Sequence, residues 1–207
     1  MRILVACECS NVVSKEFRKK GHYVLSCDLM PNVEDPTFHF KGDVRKVLYD
    51  NWDMIIAFPP CTHLAVSGAK HFEKKQKYGW QEKAINFFML FANHPAPKFC
   101  IENPVGIMSN IYRKPDQIIN PYYFGDPFQK TTCLWLKGLP KLFHAKEPDL
   151  FNEVATHVDK GKFITLSSGK KMAKWIADAK TSSKDATSKT RSKTFPGIAR
   201  AMADQWG

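Results

Sequence analysis

Long apolar runs are missing from this sequence. None approaches the roughly 20 residues that a membrane-spanning helix needs, so no transmembrane segment is expected. Paired C-x-x-C motifs are missing as well. The six cysteines (Cys7, Cys9, Cys27, Cys61, Cys100, Cys133) fall singly or as Cys7-Glu-Cys9, a poor zinc signature, and read as free thiols. Neither a disulfide framework nor a structural metal is expected. Arg2-Ile-Leu-Val-Ala6 is too short and wrongly flanked for a signal peptide, which makes the cytoplasm the expected compartment. Glycine is absent from the turn after this first segment, Cys9-Ser-Asn-Val-Val13, where a dinucleotide-binding fold carries its phosphate loop. Acidic residues are in deficit: 20 Asp and Glu stand against 31 Lys and Arg, a net charge of +11. That surplus favours a polyanionic partner, most simply nucleic acid, or serves solubility alone.

What is present is enough for a normal core. The 207 residues are 43% hydrophobic and 13% aromatic, as for one substantial domain with at most a small appendage. Arg2–Ala6 reads as a strand and Val12–Lys20 as a helix, with Ser10 or Asn11 as its N-cap and Gly21 as its stop. A second strand over His22–Cys27 ends at Asp28, completing the opening unit of a doubly wound fold. Phe38–Lys41 reads as a third strand, closing at Gly42-Asp43. Met54-Ile-Ile-Ala57 has no charge and suits a strand buried on both faces. Trp80–Asn93 reads as a helix whose Ala84, Phe87, Phe88 and Phe91 face the core. Lys98–Ile101 reads as a buried strand ending at Glu102-Asn103-Pro104, and Cys133–Leu136 as another. Further on, Lys162–Leu166 has a strand pattern, Met172–Ala179 and Ile198–Trp206 have helical ones, and the Ser/Thr/Lys-rich stretch 181–193 is expected to be a flexible loop.

The chemistry is expected where these strands stop. Pro59 and Pro60 offer no N–H to a ladder, so the chain leaves the sheet as a stiff loop with Cys61 as its first reactive side chain. Alone, such a cysteine is more often a small buried hydrophobe. Thr62–Lys70, small and polar, reads as a mobile loop over the site. Glu8, Ser10, Asp28, Asp43 and Cys61 would converge at strand ends on one cleft. There Asp28 can accept bonds from the ribose hydroxyls of an adenosine cofactor, though on spacing alone it reads equally as an ordinary strand-end Asp, and Asp43 can reach an adenine amino group. Without a glycine-rich phosphate loop the better cofactor is one lacking a pyrophosphate, such as S-adenosylmethionine. Glu102 would face the same cleft, where a carboxyl in partly apolar surroundings can donate a proton near neutral pH; a surface Glu in a turn is the second reading, and the parallel with Cys61 favours the first.

Taken together, these motifs resemble those of the cytosine-C5 methyltransferase superfamily, in the form of a small phage-type member, over nearly the whole length. Phe58-Pro-Pro-Cys61 is similar to the catalytic Pro-Cys loop, and Phe99-Cys-Ile-Glu102-Asn-Pro-Val-Gly-Ile107 to the Glu-Asn-Val motif with Pro in place of Val. Phe124-Gly-Asp-Pro-Phe-Gln-Lys130 resembles the Phe-Gly-x-Pro-Gln-x-Arg-x-Arg segment. Thr194–Trp206 resembles the C-terminal segment that returns beside the first strand. Three departures stand out: Cys9-Ser-Asn-Val-Val13 replaces Phe-x-Gly-x-Gly, Lys130-Thr-Thr132 replaces two arginines, and only some 60 residues separate Trp135 from Phe195.

The resemblance implies an α/β, Rossmann-like S-adenosylmethionine-dependent methyltransferase fold, with a central mostly parallel sheet and helices on both faces. It implies a catalytic core over 1–140, a small basic, reduced target-recognition segment over 141–193, and a C-terminal helix over 194–207 that returns to the core. Cys61, Glu102, Asn103 and Lys130 would form the catalytic set. Glu8, Ser10, Asn11, Val12, Asp28, Leu29, Asp43, Val44, Phe58, Pro59, Gly197 and Ile198 would line the cofactor. The implied activity is methyl transfer to C5 of cytosine in DNA, single- or double-stranded, through a covalent cysteine adduct in the cytoplasm, a host's if phage-encoded. Two other readings stay open: the same chemistry on a free pyrimidine nucleotide or RNA, and a catalytically weak binding protein that keeps the fold.

Overall fold

The computed structural model describes residues 1–32, 34–148, 154–167, 169, 171–180 and 194–207. Four short strands form its parallel heart: β1 (Arg2–Ala6), β2 (Tyr23–Asp28), β3 (His39–Lys41) and β4 (Met54–Ala57). Ile3 to Ala6 and Met54 to Ala57 have no exposed surface, as expected of strands covered on both faces. β5 (Lys98–Pro104) continues the parallel set. β6 (Gln117–Ile119) and β7 (Thr132–Lys137) complete a seven-stranded sheet of order β3-β2-β1-β4-β5-β7-β6, in which only β7 runs against the rest. The chain winds outward from β1 in one direction and from β4 in the other, so the switch point lies between them.

The side-chain alternation of the strands divides the core in two. On one face Ile3, Val5, Met54, Ile56 and Cys100 pack against α1 (Val12–Lys19) and the C-terminal helix, α6 (Pro196–Trp206), through Val13, Phe17, Ile198, Met202 and Trp206. On the other, Leu4, Ala6, Ile55, Ala57, Phe99 and Ile101 meet Val44, Leu48 and Trp52, together with Phe88 and Phe91 of α3 (Trp80–Ala92). Helices thus cover both faces of a mostly parallel sheet, the Rossmann-like architecture expected. The aromatic stripe of α3 is core, with Ala84 and Phe87 half-buried at its margin.

Several expectations need correction. β5 does not stop at Ile101. Antiparallel β7 carries it on through Glu102↔Leu134, Asn103↔Cys133 and Pro104↔Thr132, so Glu102 lies inside a strand rather than in a turn. The stretch expected to be a mobile loop after Cys61 is tied down: Leu64 is fully buried, Ala65 bridges Gly106, and Val66–His71 is a 3-10 helix leading into α2 (Phe72–Lys77). The helix expected over Met172–Ala179 is present but starts two residues later, as α5 (Lys174–Lys180); Met172 and Ala173 belong to β9 (Lys171–Ala173), which pairs with β8 (Phe163–Thr165). A short helix α4 (Met108–Ile111), along with α2 and β6, was not anticipated. The stretch 181–193 lies outside the described residues.

α6 is locked in place at its first turn. Asp126 Oδ2 accepts from the Gly197 N–H at 2.7 Å, and a Cβ on Gly197 would collide with the Phe124 carbonyl oxygen and stand 2.7 Å from Asp126 Oδ2. Farther along, Gln205 exchanges two hydrogen bonds with the Phe143 backbone and Trp206 Nε1 donates to the Pro140 carbonyl. Gly197→Ala should therefore lower stability by roughly 1–3 kcal/mol, the usual cost of overpacking, read as a fall in the urea midpoint with the slope unchanged.

Candidate active site

Strand ends at the switch point are where open α/β folds bind ligands, and each expected residue can be placed relative to them. Two local devices shape the edge. Cys7 follows β1 with φ of +60°, a left-handed turn after which the Glu8 N–H bonds to the Cys27 carbonyl. Glu8 then folds back instead of facing a ligand. Its carboxylate, 3% exposed, accepts from Val13 N at 2.6 Å, Ser14 N at 3.2 Å, the Ser14 hydroxyl and the Ser10 hydroxyl at 3.3 Å. It caps α1, the task expected of Ser10 or Asn11. Burial pushes the Glu8 carboxyl above its ordinary range, although all of these donors pull the other way. Asn11, left-handed at φ +60°, accepts from Arg18, whose guanidinium also pairs with Asp35 at 3.0 Å. Val12 begins α1.

Asp28 ends β2. One of its oxygens accepts from Met30 N at 2.8 Å and its carbonyl from Gly42 N at 2.9 Å. Beside it Leu29 and Met30 are 72% and 58% exposed, an apolar surface next to a carboxylate that suits the face and hydroxyls of an adenosine. Asp43 caps a 3-10 turn after β3 and accepts from Arg45 N at 3.0 Å and the Arg45 guanidinium at 2.8 Å. Those bonds, the backbone one foremost, hold its carboxyl below the usual range. Val44 is buried.

Phe58 N bonds to the Ala6 carbonyl at 3.0 Å, one rung beyond β4, and then the two prolines end the ladder. Pro59 is buried, Pro60 exposed and Cys61 half-exposed, with the Cys61 carbonyl accepting from Leu64 N and Ala65 N, each at 3.0 Å. Asn103, 1% exposed, donates its Nδ2 to the Pro59 carbonyl at 2.7 Å. Strand alternation sends Asn103 to the α3 face and the half-buried Glu102 to the α1 and α6 face. The expected catalytic set thus separates: Asn103 fixes the loop that carries Cys61, and Glu102 stands on the same strand one residue before it. Lys130 lies on the α6 side with its ammonium 5.9 Å from the Phe195 ring. Phe128, Trp175 and Phe195 pack together there beside Gly197 and Ile198.

The thiols differ in environment. Burial pushes Cys27 up to about 12 and Cys133 to about 11, and raises Cys7 and Cys100 as well; these are poor sources of thiolate. Cys61 is half-exposed on its loop and Cys9 is exposed.

Sequence reasoning missed the residues that hold the Cys61 loop from behind. Lys75, 8% exposed, donates its ammonium to the Thr62 carbonyl at 2.6 Å, and Gln81 donates to the His63 carbonyl at 3.2 Å. Gly106 passes so close to the Leu64 carbonyl that no Cβ fits. A lysine in a charged helix gives no sign of this, because its partner is a backbone oxygen 13 residues away.

Removing the Asn103 amide should cost roughly 1–3 kcal/mol, since the Pro59 carbonyl is left buried without its donor; urea unfolding of Asn103→Ala measures it. Glu8 makes a pH-dependent prediction. A carboxyl raised in the folded state contributes stability that is complete below the ordinary value near 4.5 and is lost as pH rises through the folded value. The wild-type chain should therefore gain stability relative to Glu8→Gln as pH falls from 8 to 5, measured as the difference in urea midpoints; a flat or opposite trend would count against it.

No family model matches the chain, and no curated protein matches it in sequence. Among solved structures it is similar to a DNA modification methyltransferase encoded within a prophage of E. coli, with 17% identity over 72% of this chain and a TM-score of 0.48. It is also similar to the Entamoeba histolytica methyltransferase EhMeth, with 13% identity over 80% of this chain and a TM-score of 0.49. The chain covers 52% of the first and 58% of the second.

Proposed function

We propose that the chain transfers a methyl group from S-adenosylmethionine to C5 of cytosine in DNA, with Cys61 as the covalent nucleophile. The observation that carries this reading is the placement of Cys61. It is a half-exposed thiol on a Pro-Pro loop at the switch point, pinned through Pro59 to Asn103 on the strand that also bears Glu102. The cofactor supplies an electrophilic sulfonium methyl group. Asp28, with Leu29 and Met30 beside it, fits the adenosine end, and Asp43 with Val44 the adenine edge. Glu8 supports that site indirectly, by fixing the start of α1.

Cytosine C5 is a poor nucleophile until a group adds at C6. The Cys61 thiolate forms the S–C6 bond, and the ring electrons move so that C5 can attack. Glu102 holds the proton at N3 and accepts from the exocyclic amine, which stabilises the charge on the ring. After methylation, loss of the C5 proton to a base expels the Cys61 thiolate and restores the ring. Lys130 is assigned to orienting the base from the α6 side. Asn103 is assigned to holding the loop rather than to the base. The +11 charge supports a polyanionic substrate, and we assign 141–193 as a reduced target-recognition segment.

A 5-fluorocytosine oligonucleotide cannot lose its C5 substituent as a proton, so it should trap the wild-type chain as a covalent complex in the presence of cofactor. Cys61→Ala should give none, and Glu102→Gln should form it about 10²- to 10⁴-fold more slowly. Parallel rates on dCMP and on RNA separate DNA from the other carriers of the base. Cofactor binding without any adduct on any carrier would leave the non-catalytic reading standing.

A further inference from the structure

Between α2 and α3 the chain turns at Gly79, whose φ of +65° favours glycine. The turn brings Tyr78 and Trp80 together with their rings 21° from parallel and centroids 5.1 Å apart. Both are open to solvent, at 55% and 42%, and neither belongs to the two core clusters. The pair is fastened to the Cys61 loop. The Trp80 ring meets His63 at 5.8 Å, its neighbour Gln81 holds the His63 carbonyl, and Lys75 holds that of Thr62. The stacked rings therefore stand two residues along the loop from the thiol.

The charge around them has one dominant sign. Residues 70–83 carry five lysines against two glutamates. Lys70, Lys74, Lys77 and Lys83 are exposed, and among the described residues none of the four is in an ion pair. Flat exposed rings flanked by uncommitted ammonium groups match unpaired nucleobases joined by phosphates. A duplex cannot use the rings, because its base faces are already stacked on one another.

We propose that Tyr78 and Trp80, with Lys70, Lys74 and Lys77, form a docking surface for the unpaired nucleotides that flank the target base in single-stranded DNA. The identity of the target rests on the Cys61 reading; the surface itself binds without any chemistry. Entry as a single strand removes the need to flip a base out of a duplex, and stacking carries little base preference, in keeping with the short 141–193 segment.

The test is fluorescence anisotropy of the full chain with a labelled single-stranded oligothymidine, which contains no cytosine, at fixed salt. Trp80→Ala should weaken binding about 10- to 100-fold and Tyr78→Ala should weaken it too, while Trp80→Phe keeps most of the affinity. Circular dichroism checks that each variant folds, and Tyr78→Ala carries the test if Trp80→Ala does not. The matching oligothymidine–oligoadenosine duplex should bind more weakly than the strand and respond little to Trp80→Ala. Wild-type affinity in both alanine variants, equal loss in Trp80→Phe and Trp80→Ala, no preference for strand over duplex, or tighter binding of oligouridine would each overturn the proposal. Strand binding that depends on Trp80 but comes without 5-fluorocytosine trapping would sink the methyl-transfer reading and leave the surface standing.

Discussion

The site depends on a shortage of backbone donors where β4 ends. Pro59 and Pro60 have no N–H, so the parallel ladder cannot continue and the Pro59 carbonyl must be satisfied by a side chain. Asn103 does this at 2.7 Å from a buried position. It can reach only because β5 runs three residues past its last pairing with β4, carried by antiparallel β7. The position of Cys61 is thus set from the far half of the sheet. β7 is itself held by β6, by Trp135 packed edge-on to Phe88, and by the Trp135 indole donating to the Arg113 carbonyl.

Burial then sorts the thiols. Four of the six cysteines stand where desolvation raises the thiol and keeps it protonated. Cys61 stands apart from them in position, half-exposed on the proline loop beyond the end of β4. The same edge holds a carboxylate that is not available to a ligand. Glu8 is occupied by two backbone N–H groups and two hydroxyls at the start of α1, whereas Asp28 and Asp43, at the ends of β2 and β3, are only half-buried.

The sequence made the parallel core readable because each central strand is built on a short apolar run, charge-free throughout in β4, and because stops such as Pro59-Pro60 and Gly21 act through local backbone geometry. It could place Glu8, Asp28, Asp43 and Cys61 at strand ends for the same reason. It could not show that Glu8 turns inward, since that depends on Cys7 adopting a left-handed conformation no residue pattern announces. Nor could it show Glu102 inside a strand. β5 is extended by pairing with β7, some 30 residues later in the chain, and the same extension is what brings Asn103 to the Pro59 carbonyl. The short β6, α2 and α4 have too few residues for a period to register.

The loop after Cys61 carries the same lesson into function. Thr62 to Lys70 is small and polar, a composition that ordinarily means mobility. What restrains it comes from elsewhere: the Lys75 ammonium on Thr62, Gln81 on His63, and the Gly106 backbone against Leu64. Burying a lysine without a carboxylate is costly, and here the compensation is one hydrogen bond to a carbonyl and the face of the Phe72 ring 5.3 Å away. What the cation contributes is a grip on a carbonyl one residue past Cys61, which fixes the start of the loop and sets the surface beside it positive.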